Sequence, residues 1–163
     1  MVERVFGFCT EKEYKDFMRG VVGFEKDVIR QGTILVKLYF SVTREVQAER
    51  FERRQTDPLR RWKLSPVDLE AQDRWDDFTN VKFDMLKCTH TPISPWYVIR
   101  SDDKHLARLN TMKVILNSVP YERLDPTLDF VPDPEIVISG ARELEILEAE
   151  RLPKGQAPHE VIV

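Results

Sequence analysis

Between Arg50 and Lys63 the sequence gathers Arg50, Arg53, Arg54, Arg60, Arg61 and Lys63, six cations against the two carboxylates Glu52 and Asp57. Guanidinium groups hold phosphate oxygens through paired hydrogen bonds, so a dense surplus of them beside a turn suits a phosphorylated or polyanionic ligand. The surplus is local, because the whole chain carries a formal net charge of −3 and a pI of about 5.7. On composition alone such a run also fits a solvated helix face. The competing expectation is the phosphate-facing part of a phosphotransferase.

Other residues with possible chemistry are weaker. Asp102 and Asp103 follow an apolar stretch and fit helix caps, although the carboxyl end of a parallel strand is also where ligands settle in open α/β sheets. Asp102 and Lys104 are therefore candidates for the nucleotide side of a site. Asp76 and Asp77 are consecutive, point in different directions on a helix and suit a surface or ion-pair role, so no residue is assigned as a metal ligand. His90, His105 and His159 lack ligand spacing and a paired nucleophile. Trp62, Trp75 and Trp96 read as packing residues.

These residues sit in a chain of 163 residues, 42% hydrophobic and 33% charged, long enough for one well-buried domain plus a tail. The mild acidity argues against a surface that binds nucleic acid wholesale. Cys9 and Cys88 have no CxxC spacing, which favours reduced thiols in a cytoplasmic setting over a disulfide scaffold. No apolar run approaches the roughly 20 residues that span a bilayer, so no membrane partner is expected.

The elements that must position the cations can be read in order. Thr10 and Glu13 have capping-box spacing, and Tyr14, Phe17, Met18, Val21, Phe24 and Val28 recur at helical intervals, predicting a helix over 11–30. Ile34 to Val42 is almost continuously apolar, the pattern of a central strand covered on both faces. A helical stretch from Arg44 runs into the basic cluster and breaks at Asp57-Pro58, since proline disfavours a helical residue before it. Ser65, Pro66 and Asp68 then start a helix carrying Trp75, Phe78, Val81 and Met85. Trp96 to Arg100 reads as a second strand, followed by a helix to about Asn117. Residues 125–134 are rich in Asp and Pro, 136–138 form a short candidate strand, and 141–152 an acidic helix in a loosely docked appendage. Strands joined through helices favour parallel pairing, giving an α/β core. Two strands make a poor sheet, so further strands are expected from elsewhere.

Several ordered blocks carry a resemblance: Phe51-Glu-Arg-Arg-Gln-Thr-Asp-Pro-Leu-Arg-Arg-Trp-Lys-Leu-Ser-Pro-Val-Asp-Leu-Glu70, Arg74-Trp-Asp-Asp-Phe78, Pro95-Trp96, Ser101-Asp-Asp-Lys104 and Ala107-Arg-Leu-Asn110. Together they resemble the polyphosphate kinase 2 family, nearest its NDP-kinase-like single-domain branch, over about Val2 to Tyr121. The resemblance implies residues 1–121 as the C-terminal part of such a domain, with a lid at about 50–65 and an extension over 122–163. It implies a partial P-loop kinase-like three-layer α/β fold with a parallel sheet. Its activity would be phosphoryl transfer between inorganic polyphosphate and ADP or GDP, with magnesium. Arg53, Arg54 and Lys63 would be catalytic lid cations, Arg50, Arg60 and Arg61 phosphate-binding residues, and Arg74 a brace of the lid helix through Asp76 or Asp77.

Family members also carry a Gly-x-x-x-x-Gly-Lys loop and an acidic strand end that handles magnesium, and neither occurs in this sequence. Met1-Val-Glu-Arg-Val-Phe-Gly-Phe resembles the stretch just after the second acidic motif. The expectation is thus a lid-bearing half without the N-terminal P-loop half, working with that half or with an intact paralogue in the family's homo-oligomeric habit. The alternatives are a non-catalytic polyphosphate-binding or regulatory subunit and an inactive truncated remnant.

Overall fold

A computed structural model describes residues 1–122, 125 and 127–151; His159 and the expected helix end at Leu152 lie outside them. Helix α1 (Val2–Val5) precedes α2 (Glu11–Arg30), whose Thr10 and Glu13 form both halves of the expected capping box. Strand β1 (Lys37–Ser41) leads to α3 (Arg44–Thr56), a 3-10 turn at Arg61–Lys63, α4 (Pro66–Ala71) and α5 (Trp75–Thr89). Strand β2 (Trp96–Arg100), α6 (Lys104–Ser118), β3 (Val137–Ser139) and α7 (Gly140–Arg151) follow.

β1 and β2 pair in parallel, with Lys37 opposite Trp96 and Ser41 opposite Arg100. Side chains alternate across the sheet. Tyr39, Val98 and Ile138 therefore face α5 and α7 around Leu86 and Leu147, while Leu38, Ile99 and Val137 face α6 around Ala107 and Val114. Helices thus cover the sheet on both sides, and Val98 and Ile99 at its centre are 1% and 0% exposed. Burial, with the Glu143 carboxylate nearby, raises the Tyr39 phenol to about 12.

Two expectations change. The sheet is mixed, because β3 runs antiparallel to β2. The reason lies in the return path along α6: Asn117 bonds the Phe130 carbonyl, Lys113 the Asp129 carboxylate and Val131 carbonyl, and the Asn110 side chain accepts the Asp133 N–H. The chain climbs back to the carboxyl end of β2 before β3 begins, so β3 can only descend. The stretch expected as an appendage accordingly supplies a strand and, through Leu147, part of the core. The second change concerns β1, expected at the centre of a sheet. In the order β1-β2-β3 it lies at an edge, and Phe40 on its α6-facing side is 54% exposed.

Charge is also buried here. Lys37 on β1 donates to Glu25 of α2 at 2.8 Å and to the Thr89 carbonyl at 2.6 Å, and Lys82 of α5 pairs with Glu143 of α7. Gly140 makes the β3–α7 corner possible, since a Cβ there would lie 2.5 Å from His90 Nδ1 and 3.0 Å from Trp96 Cβ.

Candidate functional site

Helix α3 buries no residue, yet it is firmly placed. Thr43 caps it by accepting the Val46 N–H, and the Thr43 N–H in turn donates to Asp102 Oδ1 at 2.9 Å. Arg50 Nη2 donates to the carbonyls of Ser101 at 2.6 Å and Asp102 at 2.9 Å, while the Ser101 N–H and Oγ both donate to the Ser41 carbonyl. The carboxyl ends of β1 and β2 and the root of α3 are thereby clasped together. Beyond the helix, Asp57 begins a turn in which its carbonyl accepts the N–H groups of Arg60 and Arg61. Ser65 and Asp68 then form the second expected capping box.

This scaffold encloses a cleft of about 490 Å³ between α3, the 3-10 turn and the start of α6. Arg50, Arg53, Arg54, Arg60, Lys63, Asp102 and Lys104, all expected at a site, line it together. Val46, Arg50 and Arg53 recur at helical spacing, so one face of α3 supplies one wall. Arg61 is not in the lining; its Nε donates to the Gln55 carbonyl.

The cations are not equivalent. Arg50 is spent on main-chain carbonyls, Arg54 pairs with Asp68 at 2.7 Å, and Arg60 with Asp57 at 2.7 Å. The side chains of Arg53 and Lys104 have no hydrogen-bonding or ion-pair partner among the described residues, and the Lys63 ammonium has only the Trp62 ring, 4.9 Å from its centroid. The Lys104 ammonium is held below its usual range, first by Arg50, then by partial desolvation, Arg60, Lys63 and Arg108. Such crowding of like charge is what a bound anion relieves.

Asp103 is the helix cap: it accepts the N–H groups of His105 and Leu106, and these bonds hold its carboxyl below the usual range. Asp102 acts instead in the clasp. The structure gives Arg74 partners other than Asp76 or Asp77: it donates to the Val5 carbonyl and Glu70 and lies over the Phe6 ring. It therefore ties α1 to the α4–α5 corner, while Asp76 and Asp77 stand in the first turn of α5. Glu49 and His105 also line the cleft and were not anticipated. The signal was present, since Glu49 precedes Arg53 by four residues and His105 adjoins Lys104.

Among the described residues no group of three or more His, Cys, Asp or Glu side chains is placed to hold a metal ion. No described helix is long and apolar enough to cross a membrane.

Comparison with known proteins agrees with the resemblance. The chain is 46% identical over 143 residues to Polyphosphate kinase PPK2B of Corynebacterium glutamicum, covering 88% of this chain and 47% of that one. It is 48% identical over 136 residues to NDP-polyphosphate phosphotransferase 2 of Ruegeria pomeroyi, covering 83% and 40%. The chain thus spans about half the length, or somewhat less, of these relatives. Its fold resembles the crystal structure of Polyphosphate Kinase 2 from Arthrobacter aurescens TC1, with a TM-score of 0.67 at 24% identity, over 91% of this chain and 50% of that one. The profile of the family Polyphosphate kinase 2 (PPK2) matches residues 1–126, and the chain belongs to that family.

Proposed function

We propose that this chain contributes the lid side of a polyphosphate:nucleotide phosphotransferase, moving a phosphoryl group between inorganic polyphosphate and ADP or GDP. The observation that carries the reading is the set of cations left without a carboxylate among the described residues, Arg53, Lys63 and Lys104, facing one cleft at the carboxyl end of β2. A transferring phosphoryl group spreads negative charge over its oxygens, and catalysis is largely positioning and electrostatic stabilisation. Arg53 and Lys63 supply charge from the α3 arm, and Lys104 from the core. Arg54 and Arg60, braced by Asp68 and Asp57, fix the shape of the arm. Arg50 and Asp102 position it, and Arg61 extends the basic surface outside the cleft.

The phosphate cradle and the ligands for a divalent ion, magnesium in this reading, are assigned to chain outside residues 1–163. A P-loop half or an intact paralogue would bring them, in a partial P-loop kinase-like assembly within the cytoplasm. A second reading, a polyphosphate-binding or regulatory subunit, rests on the same cations Arg53, Lys63 and Lys104, which can hold a polyanion without transferring a phosphoryl group.

The test is nucleoside triphosphate formation from long-chain polyphosphate, magnesium and ADP or GDP, with the chain alone and with a P-loop half added. Turnover that requires the added half and is lost in Arg53→Ala supports the first reading. Polyphosphate binding without turnover in either case supports the second.

A further inference from the structure

Lys104 opens helix α6, directly after the Asp103 cap, and is an exposed residue of the cationic cleft. The first turn of a helix is an unfavourable place for an ammonium, because the helix dipole is positive there. Arg50 weighs most against its charged form, followed by partial desolvation, Arg60, Lys63 and Arg108, the last one turn along α6. The carboxylates lining the same cleft are Glu49, Asp102 and Asp103, with His105 beside them. Asp102 and Asp103 accept main-chain N–H groups, and none of the three pairs with Lys104. More of this amine is therefore neutral at a given pH than in a lysine free of such neighbours, and a neutral amine is a nucleophile.

The cleft also selects what reaches that amine. Its cations favour phosphate, so an electrophile that carries phosphate is concentrated where Lys104 stands. In an acyl phosphate the reactive carbonyl carbon is bonded directly to a phosphate oxygen. Seating the phosphate on Arg53 and Lys63 brings that carbonyl into the cleft that Lys104 lines. Phosphate is then the leaving group, and the same cations stabilise the charge it carries away.

Resting on the phosphate-cleft reading above, we infer that Lys104 is a site of covalent regulation, acylated on Nζ by small acyl phosphates, which loosens the hold of the cleft on polyphosphate. The neutral Nζ forms a bond to the carbonyl carbon while the bond from that carbon to the bridging phosphate oxygen breaks. One amine proton leaves with the phosphate as hydrogen phosphate, and nothing is oxidised or reduced. The amide product is uncharged, so one of the three cations without a carboxylate among the described residues is removed.

Acetyl phosphate is the probe, with acetylation of the full chain read site by site by peptide mass spectrometry. Lys104 should react about tenfold faster than Lys12, an exposed lysine of α2 outside the cleft. Tripolyphosphate should protect Lys104 and leave Lys12 unchanged. The acetylated chain should bind tripolyphosphate about three- to tenfold more weakly in calorimetry, whereas Lys104→Arg treated in the same way should stay within about twofold of its untreated affinity. Equal rates at Lys104 and Lys12, or a Lys104 rate untouched by tripolyphosphate that does bind, overturn this inference alone. Equal loss of affinity in the treated chain and treated Lys104→Arg also overturns it. Failure of the unaltered chain to bind tripolyphosphate strikes at the cleft itself, and this inference falls with it.

Discussion

The lysines of the core and the cations of the cleft are treated in opposite ways. Lys37 and Lys82 each have a carboxylate partner and an aromatic ring within 5.0 Å, Trp96 and Tyr39 respectively, and each is less than a tenth exposed. Among the described residues the side chains of Arg53 and Lys104 have neither ring nor carboxylate, and that of Lys63 has a ring alone. A buried charge is tolerated only when paired, whereas a solvated cluster can keep its charge unspent for a ligand. The difference marks which cations are committed to the fold and which are not.

Substitution on the core side should have the largest effect. Lys37→Ala strands the Glu25 carboxylate in a buried site and should cost about 3–5 kcal/mol, read by urea denaturation. Pairing it with Glu25→Leu should recover much of that loss, because the stranded charge is then gone; no recovery would mean that the lysine acts through packing alone.

On the cleft side, Arg53→Ala should leave stability within about 0.5 kcal/mol while weakening long-chain polyphosphate binding about tenfold at low salt, since no native partner is abandoned. Arg54→Ala should behave differently. Removing a half-buried partner of Asp68 should lower stability measurably as well as affinity. Equal stability losses in the two variants would erase the distinction between spent and unspent cations.

Gly140→Ala tests the corner that brings α7 onto the core. The added methyl meets His90 Nδ1 and Trp96, and the overpacking should cost about 1–3 kcal/mol in thermal denaturation.

The smallest effect concerns His90, whose Nδ1 accepts the Trp96 N–H at 3.1 Å. Burial, then the Lys37 charge, depresses its affinity for a proton below the ordinary value of 6.5. The unfolded chain therefore takes up that proton first as pH falls. Stability should be full above 6.5 and decline as pH drops from there through the depressed folded value, with His90→Gln flattening that portion of the pH profile.

Local signals carried much of the fold into view. The capping boxes at Thr10 and Ser65, the break at Asp57-Pro58 and the parallel pairing of β1 with β2 follow from residue type and short-range spacing. The direction of β3 does not, because it is decided by bonds from Asn110, Lys113 and Asn117 to a segment about twenty residues away. The cleft was legible as a cluster of cations but not as a hierarchy. Whether Arg50 or Arg53 is free depends on carbonyls of residues 101 and 102, 51 and 52 residues from Arg50. Arg74 shows the same limit, its partners being Glu70 and the carbonyl of Val5 rather than the adjacent aspartates.

The exposed edge of β1 has a consequence for handling the molecule. Among the described residues no strand receives the outward amides and carbonyls of Lys37–Ser41, and Phe40 adds an apolar flank. Such an edge is a template for any extended segment, including the same segment of another molecule. Concentration therefore becomes a structural variable: dilute solutions should favour the isolated chain, and crowded ones should favour chains joined edge to edge.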